Sequence, residues 1–537
     1  MKQQFSYLVA LLLATSSFQA QEVLWEQISG GAHAEFLYDA IPTPDYGFLL
    51  AGSSISGKNG NKEAANKGDL DYWIWKMDEK GTAEWQKSFG GSGVDLLQSI
   101  AITSEGGFLL GGTSTSNKGD DKKDNAMGLD DLWIIKLDAK GHEIWQRTIG
   151  GSGQEKLISI ATCRDGGYIL GGTSSSSKTE KTASGLSNPY GKTEDSFGSL
   201  DYWVVKLSSK GEVQWQKTFG GKYADELKSI ITTKDNGFLV GGTSNSPISG
   251  NKTSPHFGGA DYWVIKIDEN GNELWQTTYG GDKEEQLFAL STTLEGGFLI
   301  GGNSNSEASH NKAKSNENGT DFWVLKTDAK GLIEWQETYN FGSKDVLASV
   351  VANADGTFLI GGYAQTEQKK TTNATKADKE GINDFIALKI SATGTVLWTK
   401  TVGSAGDEVL RKLFETRDGG YVLAGTTKGQ VTRDKQTAAD DSDFWMVKLL
   451  DKTKKVKEKQ DLEAMPNPAV SFTNIIVSYA YTSGTAMVFD LNGRTLQSQT
   501  IDGEKTIPID LTPYPDGIYL IEVKTDVQTN SVKVIKK

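Results

Sequence analysis

The sequence predicts an all-β fold assembled from one repeated unit. Pairs of Trp residues twelve positions apart, separated by a tight Gly turn, recur along the chain with a period of about sixty residues. The pairs are Trp73 and Trp85, Trp133 and Trp145, Trp203 and Trp215, Trp263 and Trp275, and Trp323 and Trp335, and Ile386 and Trp398 occupy the same slots. With 62 Gly, only 10 Pro and many aromatic residues, the composition favours short strands joined by turns over helices or disorder.

Each unit contains four predicted strands, a to d. In the second unit they are 96–103, 107–114, 131–138 and 143–150. Counting 23 residues forward from the strand-d Trp reaches an aromatic residue in strand b of every unit: Phe48, Phe108, Tyr168, Phe238, Phe298, Phe358 and Tyr421. Three of the four connections have nearly constant length, whereas the b-to-c connection varies and is longest at 174–200. Four-stranded antiparallel units at this period are typical of a β-propeller, whose blades bury their faces against one another.

The two ends of the repeat give the number of blades. The last unit has a strand c at 443–449, but the slot of its strand-d Trp holds Lys457 within a charged run. The segment 23–31 is a strand d with no strand a, b or c before it. We therefore predict a seven-bladed β-propeller over 21–449, in which the N-terminal strand completes the last blade and leaves no open sheet edge.

Residues 1–20 have the character of a secretory signal peptide, and the predicted cut lies between Ala20 and Gln21. No other apolar run is long enough to cross a bilayer, so we expect no integral membrane segment in the mature protein. The single cysteine, Cys163, excludes an intramolecular disulfide framework. The formal net charge of −13 argues against nucleic acid as a partner, because phosphate binding needs a basic surface.

A small β-sandwich is predicted at 465–537, after a charged linker at 450–464. It carries the motifs PNP (466–468), LNGR (491–494), YPDGIYLIEV (514–523) and a terminal KVIKK. In these motifs it resembles the type A C-terminal sorting domain of the Bacteroidota type IX secretion system. The resemblance implies passage through the Sec system and the type IX machinery, removal of the sorting domain, and a mature protein that is surface-attached or released. The sorting-motif residues are Pro466, Asn467, Pro468, Gly493 and Gly517.

An acid stands ten residues after the strand-d Trp in every unit, at Glu35, Asp95, Glu155, Asp225, Glu285, Asp345 and Glu408. It shares a strand face with an apolar residue, so we expect it to be partly buried and to need a partner. We favour a structural network in each blade, with the strand-c Lys or backbone amides as partners. The alternative is an acidic ring at one channel mouth that holds cations, with calcium as the candidate ion.

Other repeated residues also favour structure over chemistry. Strand c of each unit carries an Asp, at Asp71, Asp131, Asp201, Asp261, Asp321, Asp384 and Asp443, and a Lys, at Lys76, Lys136, Lys206, Lys266, Lys326, Lys389 and Lys448. Thirteen of the 14 Trp residues occupy two slots of the repeat, which predicts packing between blades. The c-to-d turn resembles the D-x-x-G-x-x-x-W signature of quinoprotein-type propellers, and the resemblance implies similar blade packing without a cofactor.

The sequence identifies no catalytic or cofactor-binding residue. Its four histidines show no metal-ligand spacing and are expected to be isolated on the surface: His33, His142, His256 and His310. One break in the repeat is a Ser slot of strand a that becomes Asp39 in the first blade and Lys412 in the last. These blades become neighbours on ring closure, so we predict an ion pair or hydrogen bond that lines the channel.

The variable b-to-c loops are expected to share one face of the ring with the d-to-a loops, because both join the same ends of alternating strands. Propellers commonly bind ligands on such a loop face. We therefore favour a non-enzymatic, surface-displayed or secreted module that binds or scaffolds extracellular glycan or protein. The alternative is an extracellular polysaccharide hydrolase or lyase on the same scaffold.

Overall fold

The computed structural model describes residues 21–178, 189–317, 319–365, 383–439, 441–452, 454 and 459–537. Every regular element in these residues is a β-strand. This part of the chain accordingly contains no helix long and apolar enough to cross a membrane. The predicted signal peptide, 1–20, lies outside the described residues.

Seven four-stranded antiparallel sheets form the blades of the predicted β-propeller. The first strand of the chain is β1, Gln21–Ser29. Each of blades 1 to 6 is built from four consecutive strands. Blades 1 to 3 are as follows: blade 1, β2 Glu35–Pro42, β3 Phe48–Ser54, β4 Asp71–Met77 and β5 Ala83–Phe89; blade 2, β6 Asp95–Ile102, β7 Phe108–Ser114, β8 Asp131–Leu137 and β9 Glu143–Ile149; blade 3, β10 Glu155–Thr162, β11 Tyr168–Ser174, β12 Asp201–Leu207 and β13 Val213–Phe219. Blades 4 to 6 follow in the same way: blade 4, β14 Asp225–Thr232, β15 Phe238–Ser244, β16 Asp261–Ile267 and β17 Glu273–Tyr279; blade 5, β18 Glu285–Thr292, β19 Phe298–Ser304, β20 Asp321–Thr327 and β21 Ile333–Tyr339; blade 6, β22 Asp345–Ala352, β23 Phe358–Gln365, β24 Asn383–Ile390 and β25 Val396–Val402.

The N-terminal strand closes the ring, as predicted. Blade 7 contains β26 (Glu408–Glu415), β27 (Tyr421–Thr427) and β28 (Asp443–Asp451), and β1 pairs antiparallel with β28 as its outermost strand. Opposite Trp445, the side chain of Ile28 is buried in the core of this blade. Glu26 accepts a hydrogen bond from the Trp445 indole at 2.6 Å. The first strand therefore covers an edge that would otherwise be open.

The Trp residues pack between blades, which confirms their predicted role. The strand-c Trp is fully buried in each blade that has one, and Tyr72 of blade 1 lies against Trp133 of blade 2 with ring centroids 4.9 Å apart. The strand-d Trp packs on the c-to-d turn of the next blade. A Cβ on Gly211 would lie 2.9 Å from the Trp145 ring, and Gly211 has a φ of +77°. The Gly of the D-x-x-G-x-x-x-W signature is thus required by both close approach and backbone conformation.

The C-terminal domain is a sandwich of two sheets, as predicted. One sheet has β29 (Leu462–Met465), β30 (Phe472–Val477) and β33 (Thr506–Asp510), and the other has β31 (Gly484–Phe489), β32 (Thr495–Ile501), β34 (Gly517–Thr525) and β35 (Thr529–Lys536). Asn467 of the PNP motif donates to the Lys533 carbonyl at 2.8 Å and accepts from the Ile535 amide at 3.0 Å. This motif therefore holds the start of the domain against its last strand.

The C-terminal domain contacts the propeller through the a-to-b and c-to-d turns. Tyr46 donates a hydrogen bond to Glu463 at 2.5 Å, and Arg417 forms an ion pair with the same carboxylate. On blade 2, Lys140 lies 2.9 Å from Glu504. These turns lie at the opposite ends of the strands from the b-to-c loops, so the contacts leave the loop face uncovered.

Deletion of residues 21–29 from the mature protein tests the closure. We expect a loss of at least about 3 kcal/mol in the free energy of unfolding and self-association of the truncated chain, because Ile28 leaves the core and the β28 edge opens. Denaturant unfolding and sedimentation measure both effects. A synthetic peptide of residues 21–31 should restore stability, whereas a scrambled peptide should not. Unchanged stability of the truncated protein would contradict ring closure by β1.

Candidate functional site

The acid that begins strand a is fully buried in every blade. In blade 3, Glu155 accepts hydrogen bonds from the Gly151 amide at 2.7 Å and the Ser174 hydroxyl at 2.8 Å. Equivalent amides four residues before the acid belong to Gly31, Gly91, Gly221, Gly281, Phe341 and Ser404. Each carboxylate therefore closes its own d-to-a turn. The described residues contain no group of three His, Cys, Asp or Glu placed to hold a metal ion, and calcium stays a prediction from the sequence.

A buried lysine from the b-to-c loop accompanies this carboxylate. In blade 2, the Lys122 ammonium donates to the Ser114 hydroxyl at 2.9 Å and to the Ser116 carbonyl at 2.7 Å. Burial lowers the pKa of Lys122, while the charges of Asp131 and Asp95 raise it. Burial also raises the pKa of Asp131 to about 6. The blade thus holds one cation between the acids of strands a and c, and each charge offsets part of the cost of burying the others.

The sequence analysis missed these lysines. They stand nine residues before the strand-c Asp, or eight in the last blade, and all are buried: Lys62, Lys122, Lys192, Lys252, Lys312 and Lys435. The corresponding loop of blade 6, 366–382, lies outside the described residues. Counted from the last residue of strand b, the Lys stands eight residues on in all of these blades except blade 3, where it stands eighteen residues on. This nearly constant spacing to strand b and to the following Asp is the signal that could have identified them.

The strand-c lysines do not pair with the strand-a acids, so this part of the prediction is wrong. Lys206 lies 2.7 Å from Asp165, which belongs to the a-to-b turn. Equivalent pairs join Lys76 to Asp45, Lys136 to Glu105, Lys266 to Asp235, Lys326 to Glu295, Lys389 to Asp355 and Lys448 to Asp418. These pairs fasten the opposite end of each blade.

The innermost strands of all seven blades line a central channel with a cavity of about 940 Å³. The predicted contact at the closure seam is present, since the Lys412 ammonium lies 3.3 Å from the Asp39 carboxylate. The second oxygen of Asp39 accepts the Ile100 amide at 2.9 Å. The pair therefore joins blades 7, 1 and 2 along the channel wall.

Three large side chains are exposed on the loop face between blades 3 and 4. The exposed fraction is 48% for Phe197, 50% for Tyr223 and 65% for Ile248. They surround the b-to-c turn of blade 4. The Tyr223 amide donates a hydrogen bond to the Ser246 hydroxyl at 2.9 Å. Phe197 packs closely on Gly250, since a Cβ added to that glycine would lie 3.1 Å from the Phe197 Cβ. We call Phe197, Tyr223 and Ile248 the loop-face patch. Such exposed apolar clusters commonly mark binding surfaces.

Three of the four histidines have specific neighbours. His142 lies 3.0 Å from Asp138, and His256 lies 2.8 Å from the buried Asp261. The ring of His310 stacks on Phe257 with centroids 4.7 Å apart. The histidines serve separate turns and loops.

Lys252→Met tests the buried lysines in blade 4. Its ammonium lies between Asp225 and Asp261, whose charges both raise its pKa against the larger effect of burial. We expect a loss of about 3–5 kcal/mol in unfolding free energy, because two buried carboxylates lose their cation. Urea denaturation measures this, with the exposed Lys234→Met as the control. If Lys252→Met loses no more unfolding free energy than the control, Lys252 does not stabilise the two buried carboxylates.

Asp345→Asn tests the buried acids through pH. Burial raises the pKa of Asp345 to about 7. The folded state therefore holds an extra proton, and the stability that this contributes is present below about pH 4 and is lost as the pH rises through about 7. We expect the variant to gain stability relative to the wild type over this window, by up to about 1.4 kcal/mol per pH unit.

Asp355→Asn is the control of opposite sign. Burial alone would raise the pKa of Asp355. Hydrogen bonds from Thr357 and Lys389 outweigh this effect and lower the pKa to about 2. This variant should be less stable than the wild type at neutral pH, and the difference should shrink as the pH falls toward about 2. Thermal unfolding from about pH 2 to 8 separates the two variants, and parallel pH profiles would contradict the assignment.

Comparison with known proteins identifies the C-terminal domain. Residues 463–537 match the family described as the secretion system C-terminal sorting domain. An alignment 326 residues long, which covers 56% of the chain, is 23% identical to the regulatory protein FlaEY of Caulobacter vibrioides. The aligned region covers 33% of that protein, so the chain matches about a third of its length.

Several solved structures are similar in outline. A fungal alcohol oxidase of the AA5 family in complex with copper has a TM-score of 0.41 at 12% identity, covering 95% of this chain and 99% of that chain. A Synechocystis apocarotenoid oxygenase mutant has a TM-score of 0.36 at 10% identity, covering 90% and 96%. Likeness at this level carries no argument about activity. The chain is a seven-bladed β-propeller with a secretion system sorting domain, exported by type IX secretion to the cell surface or extracellular space.

Proposed function

We propose that the exported propeller is a non-enzymatic binding module that holds an extracellular glycan on its b-to-c loop face. The loop-face patch is the observation that supports this most directly. Two of its three residues are aromatic and about half exposed: Phe197 lies on a loop that the buried Lys192 anchors, and Tyr223 lies on a turn that the buried Asp225 closes. A rigid aromatic surface binds with little loss of conformational entropy.

The surroundings of Phe197 suit a sugar. A shallow groove of about 620 Å³ runs from this ring past the outer strand of blade 3 to the c-to-d turn of blade 4, and polar groups line it, including Thr193, Asn251, Asn272 and Glu273. An aromatic ring packs against the C–H face of a sugar ring, while amides, hydroxyls and carboxylates bond its hydroxyl groups. The groove offers both kinds of contact side by side.

The carboxylates of this groove favour binding over hydrolysis. Glu194 accepts the Thr218 amide at 2.6 Å, and Asp195 accepts the Lys178 amide at 2.9 Å. Groups that hold the loop in this way are less free to act as acid and base on a glycosidic bond, which needs a pair of carboxyl groups flanking it. A polysaccharide hydrolase or lyase remains the alternative, and the aliphatic Ile248 makes a protein ligand the second alternative.

A glycan array with the full exported chain, followed by titration of the best ligand, tests the proposal. We expect Phe197→Ala and Tyr223→Ala each to weaken binding about tenfold, the equivalent of about 1.4 kcal/mol for one lost stacking contact. Leu129→Ala is the matched control, because Leu129 is 64% exposed on a loop of the same face in blade 2.

Equal loss in the control, or no retained glycan, would overturn the proposal. Release of new sugar ends from a retained polysaccharide would favour the enzyme instead. Capture of a protein in a manner that depends on Ile248 would favour the protein ligand.

A further inference from the structure

One slot of the innermost strand does not follow the repeat. In every blade the pairing of strand a with strand b skips one residue, which forms a β-bulge. Seven different residues occupy this bulge slot: Tyr38, Gln98, Ile158, Lys228, Phe288, Ala348 and Arg411. The slot before it holds Leu in all seven blades and the slot after it holds Ser in four, so packing within the blade does not explain the variety.

All seven bulge residues line the central channel and are partly exposed to it. A bulge residue has no partner across the ladder, and bulges often redirect a side chain toward a functional site. The repeat therefore presents seven side chains to one cavity at positions where the blade does not dictate their identity.

Three of the four polar bulge residues, Tyr38, Gln98 and Arg411, belong to blades 1, 2 and 7 around the closure seam. The Arg411 guanidinium lies over the Tyr38 ring, 5.4 Å from its centroid. Tyr363 of β23 also lines the cavity, in a slot where the other blades carry only Ser53, Thr113, Thr173, Thr243, Asn303 or Thr426. Burial raises the pKa of Tyr38 and of Tyr363, and the Arg411 charge lowers each. Both phenols thus stay protonated near neutral pH and can donate hydrogen bonds.

Arg411 differs from the two lysines that line the channel from innermost strands. The Lys412 ammonium is paired with Asp39, and the Lys228 ammonium lies 2.7 Å from Glu226. Among the described residues, Arg411 has no hydrogen-bond or ion-pair partner, and its Nε is buried without one. A guanidinium in such a place matches a carboxylate in shape and charge.

We propose that the channel binds a small organic carboxylate at the closure seam. Arg411 pairs with the carboxylate, Tyr38 and Tyr363 donate to its oxygens or pack on its body, and Gln98 borders the ligand. The site is separate from the loop-face patch and does not depend on it.

Titration of the full chain with benzoate and with D-glucuronate tests this, with benzamide and D-glucose as the neutral counterparts. Calorimetry and ligand-observed NMR should detect at least one carboxylate with a Kd of about 1 mM or tighter and neither neutral compound. Arg411→Ala should weaken binding at least tenfold. It is expected to fold, because Ala348 occupies the same slot of blade 6. Tyr363→Thr, which restores the residue of four other blades, should weaken binding severalfold.

Lys228→Ala is the matched control, since it removes one positive charge from the same slot across the channel. It should change the affinity less than twofold. The proposal is overturned if neither carboxylate binds, if the neutral compounds bind as well, or if Lys228→Ala weakens binding as much as Arg411→Ala. Phe197→Ala should retain carboxylate binding, so failure here is distinguishable from failure of the glycan site.

Discussion

The rest of the propeller depends on the buried carboxylate that begins each innermost strand. It accepts the amide of a residue four positions earlier, and so fixes the turn that carries the chain from one blade to the next. A buried carboxylate is costly without donors, and backbone amides and strand-b hydroxyls supply them, while the charge of a nearby loop lysine offsets part of the cost. One charged group therefore links the turn, the strand and the b-to-c loop in the blades whose b-to-c loop the structure describes. Most of the buried charge of the molecule belongs to this framework.

The blade count and the closure were predictable because both follow from one-dimensional spacing. The Trp slots mark each blade, and the missing strand d at one end matches the isolated strand d at the other. The error about the strand-c lysines arose from ignoring hairpin register. Ser54 lies opposite both Glu35 and Asp71, whereas Lys76 lies at the far end of the same strand, beside the a-to-b turn. Counting the register from the sequence alone would have placed the lysine correctly.

The candidate sites were harder to predict than the fold. Exposure of Phe197, Tyr223 and Ile248 depends on how loops from different blades meet, which no spacing within one unit reveals. The bulge slot was visible as a variable column of the repeat, but its direction into the channel follows from the skipped pairing between strands a and b. The Asp39 and Lys412 pair was predictable, because both residues replace a repeated Ser at the seam. Departures from the repeat thus mark the proposed sites, whereas the repeated charges belong to the framework of the blades.

The central claim is that the repeated acids hold the fold while the bulge residues are free to bind. Parallel Ala series at the seven acid slots and the six non-Ala bulge slots, each followed by urea denaturation, test it most directly. The acid series should lose about 1–3 kcal/mol or more per variant, because buried amides and hydroxyls lose their acceptor. The bulge series should average a loss of less than about 1 kcal/mol. A bulge series as destabilised as the acid series would contradict the account.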